Sequence, residues 1–227
     1  RSTLFPYTTL FRSRTGAVLA RLEPGRPPAG KPAATASYAA VSVPMPEQEV
    51  CGDAWSVAPW EGGLSVLVAD GLGHGPEAAK AAVEAVRLFQ GHHGHRVPTL
   101  LEFLHGGLRH TRGAALAVAR IDRAGGTVDF GGVGNIAGAI IADDGMKRMV
   151  SLAGTAGHNM RKVQSFNYPL RGGLVILHSD GLSGNWDLGR YPGLTRAHPS
   201  LIAAVLFRDH WRRRDDVTVF VARGTAL

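Results

Sequence analysis

The segment LSVLVADGLGHGPEAAKAA, residues 64–82, decides the fold because it joins an apolar strand to an alanine-rich helix through Asp70 and a glycine-rich turn. The run LSVLVAD is typical of a buried strand, and the apolar spacing after Pro76 predicts a helix over residues 76–90. A carboxylate at the end of a buried strand is costly unless something compensates its charge. The segment therefore predicts a strand and a helix with a charged site between them.

Further strands and two further helices are predicted between Ala36 and Arg223 from apolar alternation and glycine turns. The predicted strands are SYAAVSVPM, DAWSVAPW, AALAVARID, GTVDFG, IAGAIIAD, KRMVSL, VQSFNYPL, GLVILHSD and VTVFVA. The further helices are TLLEFLHGGLRH and SLIAAVLFRDHW. Because strands and helices do not alternate regularly, this order favours helices layered against largely antiparallel sheets over a parallel βαβ fold.

The composition indicates one main domain without a membrane span. A chain of 227 residues with 44% hydrophobic residues closes one sizeable core, and its apolar runs are too short to cross a membrane. The single cysteine fits a reducing compartment, so we expect a cytoplasmic protein. The 25 basic residues exceed the 18 acidic ones, which favours acidic or phosphorylated partners. Nucleic acid is not expected, since the sequence has no basic strip with interleaved aromatic residues.

The N-terminal part has a different character from the rest. Residues 1–13, RSTLFPYTTLFRS, resemble a translated sequencing-library adapter, and we exclude them from the fold. Residues 14–35 are interpreted as a linker or the remnant of an upstream domain, with a disordered tail as an equal alternative. The folded domain is expected over residues 36–224.

Four aspartates lie at predicted strand ends. Asp53 and Asp215 stand at the starts of strands, whereas Asp70 and Asp180 close strands. In an antiparallel arrangement the start of one strand lies beside the end of its neighbour, so all four converge on one edge. Crowded carboxylates repel unless cations hold them ionised, and oxygen-only ligands suit magnesium or manganese. Taken singly, each aspartate has an alternative interpretation as a turn residue or helix cap.

These aspartates stand in the motifs G-D-x-W, V-A-D-G-x-G-H-G, H-S-D-G and R-D-D-x-T-V-x-V. Their order resembles the metal-dependent protein phosphatases of the protein phosphatase 2C class, most closely the SpoIIE-like and RsbX-like bacterial branch. The resemblance implies an α+β fold, an αββα sandwich of two largely antiparallel sheets flanked by helices, with two Mn²⁺ or Mg²⁺ ions. Asp70 would bridge the ions, Asp53 and the carbonyl of Gly71 would bind one, and Asp180 and Asp215 the other.

The same resemblance implies a serine/threonine phosphatase that uses metal-activated water. Its substrate would be a phosphorylated anti-sigma antagonist or STAS-domain regulator in bacterial partner-switching stress signalling. An ATP-binding kinase-like domain often lies upstream in this branch, and RTGAVLARLEP is compatible with its last strand. The alternative is a non-catalytic interaction module that kept the fold, although retention of all four aspartates favours the enzyme.

The chain departs from the family pattern at two places. Gln48 and Gly52 stand where eukaryotic members place an arginine and a glutamate, so the phosphate-binding arginine is unassigned. A histidine often follows the Asp-Gly pair directly, but here that position is Leu72 and His74 comes later. His74 is interpreted either as an acid for the leaving group or as a residue at the helix entry. Asp216 is expected to face away from the centre if alternation starts at Asp215.

Other chemically suggestive residues have simpler interpretations. Cys51 is expected to be a buried structural thiol, and GVGNIA (132–137) a tight turn or bulge, because a strand rather than a helix follows it. The histidines of GHHGH (91–95) are expected to be solvated. Arg212, Arg213 and Arg214 either form a solvated charged face or hold phosphate or an acidic partner.

Overall fold

The computed structural model describes residues 38–224, so the predicted adapter segment and residues 14–35 lie outside the described residues. The strands are β1 (Tyr38–Val43), β2 (Asp53–Trp60), β3 (Gly63–Gly71), β4 (Ala114–Asp122), β5 (Thr127–Val133), β6 (Ala137–Ala142), β7 (Gly145–Met149), β8 (Ser151–Leu152), β9 (Phe166–Pro169), β10 (Leu174–His178) and β11 (Val217–Arg223). The α-helices are α1 (Pro76–His92), α2 (Val97–Gly107) and α3 (Pro199–His210). Short 3₁₀ turns cover Leu108–His110, Leu188–Arg190 and Leu194–Arg196.

The strands form two sheets. Sheet I has the order β1-β11-β10-β6-β7, and its pairs are antiparallel. Sheet II has the order β2-β3-β4-β5-β8, with β9 also pairing with β5. Its pairs are antiparallel except for the short parallel contact between β5 and β8. Three connections are hairpins, between β2 and β3, β4 and β5, and β6 and β7, while β3 connects to β4 through α1 and α2 and β10 connects to β11 through α3.

Alternation along β3 explains why the sheets pack between helices. Val66 and Val68 point into the core between the two sheets, where they meet Leu177 and Phe220 of sheet I. Leu67, on the other face, packs against the helix layer. Burial of each such side chain contributes about 1.5–3 kcal/mol to folding. A strand that is apolar on both faces belongs in the middle of a layered structure, as the run LSVLVAD predicts.

The helices cover the two outer faces. α1 and α2 pack on sheet II through residues such as Phe89, Leu100 and Leu104. α3 packs on sheet I through Ile202 and Leu206. The layer order is therefore helix, sheet, sheet, helix, which confirms the predicted αββα sandwich. No helix in residues 38–224 is long and apolar enough to span a membrane.

One predicted strand is wrong. The segment KRMVSL is not a single strand, because β7 pairs with β6 in sheet I whereas β8 pairs with β5 in sheet II. Val150 lies between them and donates its amide to the hydroxyl of Tyr168 at 3.0 Å. Both halves remain extended, so the sequence pattern does not reveal that the chain changes sheets at this point.

Candidate metal centre

A cleft of about 590 Å³ opens at one end of the two sheets. Asp70, Asp180 and Asp215 line it, and they come from different sheets: Asp70 belongs to β3, Asp180 follows β10, and Asp215 precedes β11. The other lining residues are Leu72, Gly73, His74, Ala115, Gly134, Asn135, Ala153, Gly154, Thr155 and Arg214. The cleft thus collects carboxylates from distant parts of the chain.

Asp53 and Asp70 form the sheet II part of this cluster. They are direct partners in the antiparallel register of β2 and β3, which places their side chains on the same face. Asp53 is 6% exposed and does not line the cleft itself. Its Oδ2 accepts a hydrogen bond from Ser179 Oγ at 2.6 Å, while its buried Oδ1 has no hydrogen-bond partner among residues 38–224. A buried carboxylate oxygen without a donor is available to a cation.

Asp180 and Asp215 form the sheet I part and are half-buried. Asn135 Nδ2 donates to Asp180 Oδ2 at 2.7 Å. Asp215 Oδ1 accepts the amide of Asp216 at 2.9 Å, and the carbonyl of Asp215 accepts from Trp211 Nε1 at 3.3 Å. Both carboxylates are therefore oriented by local hydrogen bonds and still face the cleft.

The electrostatics differ between the two parts. Burial, and then the charges of Asp53, Asp180, Asp215 and Asp216, raise the pKa of Asp70 to about 9. Burial also raises the pKa of Asp53 to about 7, against the opposing effect of the hydroxyl groups of Ser179 and Thr218. The pKa of Asp215 is raised by burial and by Asp180. Without cations, Asp53 and Asp70 retain protons to higher pH than ordinary aspartates, which reduces the repulsion within the cluster.

The cluster is loose. Among residues 38–224, no three histidine, cysteine, aspartate or glutamate side chains are close enough together to hold one metal ion. The structure therefore brings the four predicted aspartates to one end of the sandwich, but in pairs, one from each sheet. Antiparallel pairing alone predicts the convergence of the four aspartates but not that the two pairs belong to different sheets.

Three features nevertheless fit divalent cations. The donors are carboxylate oxygens, which hard ions prefer. Oδ1 of Asp53 is buried without a partner. Burial and the charges of neighbouring aspartates raise the pKa values of Asp53 and Asp70, and bound cations would relieve both effects.

Gly71 and Gly181 follow two of the aspartates and are needed for close backbone contact. A Cβ on Gly71 would lie 2.0 Å from the carbonyl oxygen of Ala78, and one on Gly181 would lie 1.9 Å from that of Asp216. Neither residue has a positive φ, so the need for glycine arises from lack of space for a side chain rather than from backbone conformation. The approach of α1 to β3 and of the HSDG segment to β11 depends on these glycines.

Asp216 has a structural role. It is 2% exposed and does not line the cleft. Its Oδ1 accepts the amide of Met45, and its Oδ2 accepts the amide of Gly52, each at 2.8 Å. Asp216 therefore faces inward, away from the cleft, and attaches the segment preceding Asp53 to sheet I.

The HSDG segment is held by a buried network. Trp186 Nε1 donates to His178 Nε2 at 3.1 Å, so the proton of the neutral ring is on Nδ1, which lies 2.9 Å from the carbonyl of Ser179. Burial lowers the pKa of His178 to about 4, so the ring is neutral near pH 7. Ser179 Oγ also accepts the amide of Thr218 at 2.9 Å. Ser179 thus links Asp53 of sheet II to β11 of sheet I.

Several other predicted residues lie at or beside the cleft. Leu72, 55% exposed, and His74 both line it, and His74 acts electrostatically on Asp215. Gln48 lies beside Gly75, at the start of α1. In the arginine run, Arg214 lines the cleft, whereas the Arg213 guanidinium stacks over Trp211 at 5.6 Å.

Two other predictions concern residues away from the lining. Cys51 is half-buried, its Sγ lies 3.6 Å from Ser42 Oγ, and burial raises the pKa of its thiol to about 12, which suits a structural role. The ring of His92 stacks on Phe103 of α2, and the ring of His95 contacts the same phenylalanine in a tilted geometry, so both histidines pack against α2 rather than being simply solvated.

Asn135 is the residue that sequence reasoning missed. It follows β5 in GVGNIA, where Gly134 has φ +91, as expected for a tight turn. The sequence pattern of that stretch predicts only a tight turn or bulge. An amide directly after the glycine was the available signal, but its partner Asp180 is distant in the chain.

Comparisons with known proteins agree with this geometry. The family described as stage II sporulation protein E (SpoIIE) matches residues 61–225. A chain solved in work on the bacterial stressosome, as a modular system adapted to control secondary messenger signalling, is 31% identical with a TM-score of 0.77. That match covers 83% of this chain and 100% of the other. No curated protein matches the sequence significantly.

Two more distant structures share the fold. RsbX in complex with magnesium is 21% identical with a TM-score of 0.72, covering 82% of this chain and 94% of RsbX. The PP2C phosphatase domain of SpoIIE from Bacillus subtilis, solved with a fragment of its regulatory domain, is 22% identical with a TM-score of 0.67. That match covers 83% of this chain and 63% of the other.

Proposed function

The chain belongs to the SpoIIE family of PP2C-type serine/threonine phosphatases, and from this premise we propose that it hydrolyses phosphoserine or phosphothreonine in a protein partner with two Mn²⁺ or Mg²⁺ ions. One observation carries the proposal: Asp53, Asp70, Asp180 and Asp215 come from two sheets to one end of the sandwich, three of them line its cleft, and a buried oxygen of Asp53 has no partner.

In this proposal, Asp70 would be shared by both ions, since Asp53, Asp180 and Asp215 all act on it electrostatically. Asp53 and the carbonyl of Gly71 would hold one ion, and Asp180 and Asp215 would hold the other. When bound, the cations supply Lewis acidity, which makes water acidic enough to serve as nucleophile and neutralises phosphate oxygens. The protein then needs no covalent nucleophile of its own.

The residues of the chain fix this arrangement. Ser179 holds Oδ2 of Asp53, so that Oδ1 stays free for a ligand. Asn135 holds one oxygen of Asp180, and the Asp216 amide holds one oxygen of Asp215. Preorganised carboxylates need little rearrangement during the reaction, which is where such sites gain their rate. The open cleft admits a phosphorylated side chain between Asp70 and Asp215.

The proposed substrate is a phosphorylated anti-sigma antagonist or STAS-domain regulator in the cytoplasm. Support comes from the 31% identical chain of the stressosome work and from a 20% identical structure of the RsbU and RsbW domains of Rv1364c from Mycobacterium tuberculosis. The net charge of +7 favours a phosphorylated or acidic partner. We also retain the proposal of an ATP-binding kinase-like domain upstream of residue 36.

The first test is hydrolysis of a phosphoserine peptide and of p-nitrophenyl phosphate with added Mn²⁺, Mg²⁺ or EDTA. We expect turnover with Mn²⁺ or Mg²⁺, none with EDTA, and binding of Mn²⁺ in calorimetry. The second test uses the STAS-domain protein encoded nearest to the gene, in phosphorylated form. Metal-dependent turnover of peptides without any turnover of that protein would remove the substrate proposal and leave the phosphatase.

A non-catalytic interaction module is the alternative. It is favoured by the absence, within residues 38–224, of three side chains close enough to hold one ion, and by Gln48 and Gly52 at the positions noted above. Purified protein that neither binds Mn²⁺ in calorimetry nor hydrolyses any phosphate ester, yet binds a phosphorylated STAS-domain protein, would establish this alternative.

A further inference from the structure

Arg214 is the only arginine or lysine that lines the cleft within the part of the chain that the structure describes. It directly precedes Asp215 and shares the lining with Asp70 and Asp180. Despite these neighbours, Arg214 forms no ion pair or hydrogen bond with another residue in 38–224. An unpaired guanidinium in a cleft of carboxylates is available to an anion brought by a ligand.

Hydrogen bonds hold the chain on both sides of Arg214. The amide of Arg212 donates to the carbonyl of Gly181 at 2.9 Å, and the carboxylate of Asp216 accepts the amides of Met45 and Gly52. Arg213 has φ +60 and places its guanidinium over Trp211, away from the lining. The segment therefore separates two adjacent arginines into one that faces the cleft and one that packs on an indole.

Charge in the cleft favours a cation at this position. The four carboxylates together carry four negative charges when ionised, and two divalent cations balance that charge. A phosphate monoester near neutral pH then adds about two further negative charges. The segment before Asp53 supplies no basic side chain to balance them, because Gln48 and Gly52 stand at the positions noted above. Among the described residues that line the cleft, Arg214 is the arginine that can balance this negative charge.

We propose that Arg214 binds the phosphate group of the substrate through its guanidinium and so takes the place of the missing phosphate-binding arginine. The inference rests on the proposed function and concerns binding rather than chemistry. A guanidinium contacts two phosphate oxygens at once, which fixes the orientation of the phosphate as well as its position. Lysine at this position would keep the charge and lose the bidentate geometry.

The test compares Arg214→Gln with Arg213→Gln, a matched control that loses the same charge one residue away from the lining. With Mn²⁺ present, we expect Arg214→Gln to raise KM for the phosphopeptide and the inhibition constant of inorganic phosphate by about 10- to 100-fold. Arg213→Gln should change both by less than about threefold. Arg214→Lys should recover part of the loss.

Two readouts separate this inference from its premise. Calorimetry should give the same Mn²⁺ affinity for Arg214→Gln and the wild type, since the ligands are unchanged. Inorganic phosphate should raise the melting temperature of the Mn²⁺-loaded wild type but not that of Arg214→Gln. Equal stabilisation by phosphate in both proteins would overturn the role of Arg214, even if the wild type hydrolyses nothing. Wild-type protein that fails to bind Mn²⁺ would instead refute the proposed function.

Discussion

The two halves of the carboxylate cluster are built differently. Asp53 and Asp70 face each other across β2 and β3, Asp53 buried and Asp70 half-buried, and have pKa values raised to about 7 and about 9. Asp180 and Asp215 lie beyond the ends of strands, are half-buried, and are oriented by neighbouring amide groups. Without cations, the sheet II pair therefore retains protons near neutral pH, whereas the sheet I pair is partly solvated and adjustable. Substitutions in the two halves should have different consequences.

Asp70→Asn should have the largest effect because the charge of every other carboxylate in the cluster acts on Asp70 and raises its pKa. We expect the turnover number with Mn²⁺ to fall about 10³-fold, which corresponds to roughly 4 kcal/mol of transition-state stabilisation. In EDTA near pH 7, the variant should unfold at a higher temperature than the wild type, since Asp70 must take up a proton on folding whereas an asparagine is neutral in both states. Phosphatase assays and thermal unfolding measure the two effects.

Asp122→Asn is the matched control for that experiment. Asp122 closes β4 at the other end of sheet II, where its Oδ1 accepts the amide of Gly125 at 2.7 Å as an ordinary turn residue. An asparagine oxygen accepts the same bond, so activity should be unchanged. If Asp70→Asn retained wild-type turnover, Asp70 would be no more functional than Asp122 and the bridging role would be refuted.

The stability of the metal-free protein should depend on pH through the sheet II pair. In the unfolded chain both aspartates titrate near their ordinary pKa of 3.8, whereas burial raises the pKa of Asp70 to about 9 in the folded protein. The folded state then binds more protons, so the free energy of unfolding falls by a few kcal/mol, in order of magnitude, between about pH 6.5 and 8.5.

Denaturant titrations in EDTA at several pH values test this slope. His178 contributes an opposite slope only below its ordinary pKa of 6.5, because burial lowers its pKa to about 4, and the chosen window avoids it. Asp70→Asn should flatten the dependence, and saturating Mn²⁺ should abolish it, because the carboxylates are then ionised in the folded state as they are in the unfolded state. A wild-type stability that is independent of pH in this window would show that the pair is not strained.

Ser179→Ala tests the link between the halves. The substitution removes the donor to Asp53 Oδ2 and the acceptor for the amide of Thr218. We expect Mn²⁺ affinity to fall about 10- to 100-fold, as for other residues that orient ligands. Ser183→Ala, in the same connection, is the control, since its hydroxyl makes only a long contact with the amide of Asn185 at 3.4 Å. Calorimetry that finds equal affinities for both variants would contradict this link.

Asn135→Ala should have the smallest effect because it touches the solvated half. Its hydrogen bond to Asp180 is exposed and is worth about 1 kcal/mol, so the Mn²⁺ concentration for half-maximal activity should rise about fivefold. Asn185→Ala, exposed and outside the cleft lining, is the control. A loss as large as that of Ser179→Ala would mean that the two halves are equally constrained.

Much of the fold was predictable from local patterns. Apolar alternation gave Asp53–Trp60 and Ala114–Asp122 with the limits that the structure shows, and helix α1 extends two residues beyond its prediction, to His92. These elements were predictable because burial on a sheet or helix face imposes a period on the sequence. The change of sheet at Val150 was not, since an extended chain keeps the same alternation whichever neighbour it pairs with.

The carboxylates of the site could be predicted from the sequence, but the residues that orient them or hold their segments in place could not. Asp53, Asp70, Asp180 and Asp215 stand out because a charge at the end of an apolar strand conflicts with its surroundings. Ser179, Asn135 and Asp216 act through partners that are 126, 45 and 164 or more residues away, and a single sequence carries no sign of such pairs. Arg214 could be noted only as one of three identical neighbours, because which arginine faces the cleft depends on the backbone at Arg213.

The hydrogen bond from Ser179 to Asp53 also has a consequence for folding kinetics. Contacts between residues so distant in sequence form late, after most of the chain entropy has been lost. Neither sheet alone contains a complete set of ligands, so the cations find their site only after the sheets have docked. Added Mn²⁺ should therefore prolong the lifetime of the native protein by slowing its unfolding, while leaving the rate of folding almost unchanged.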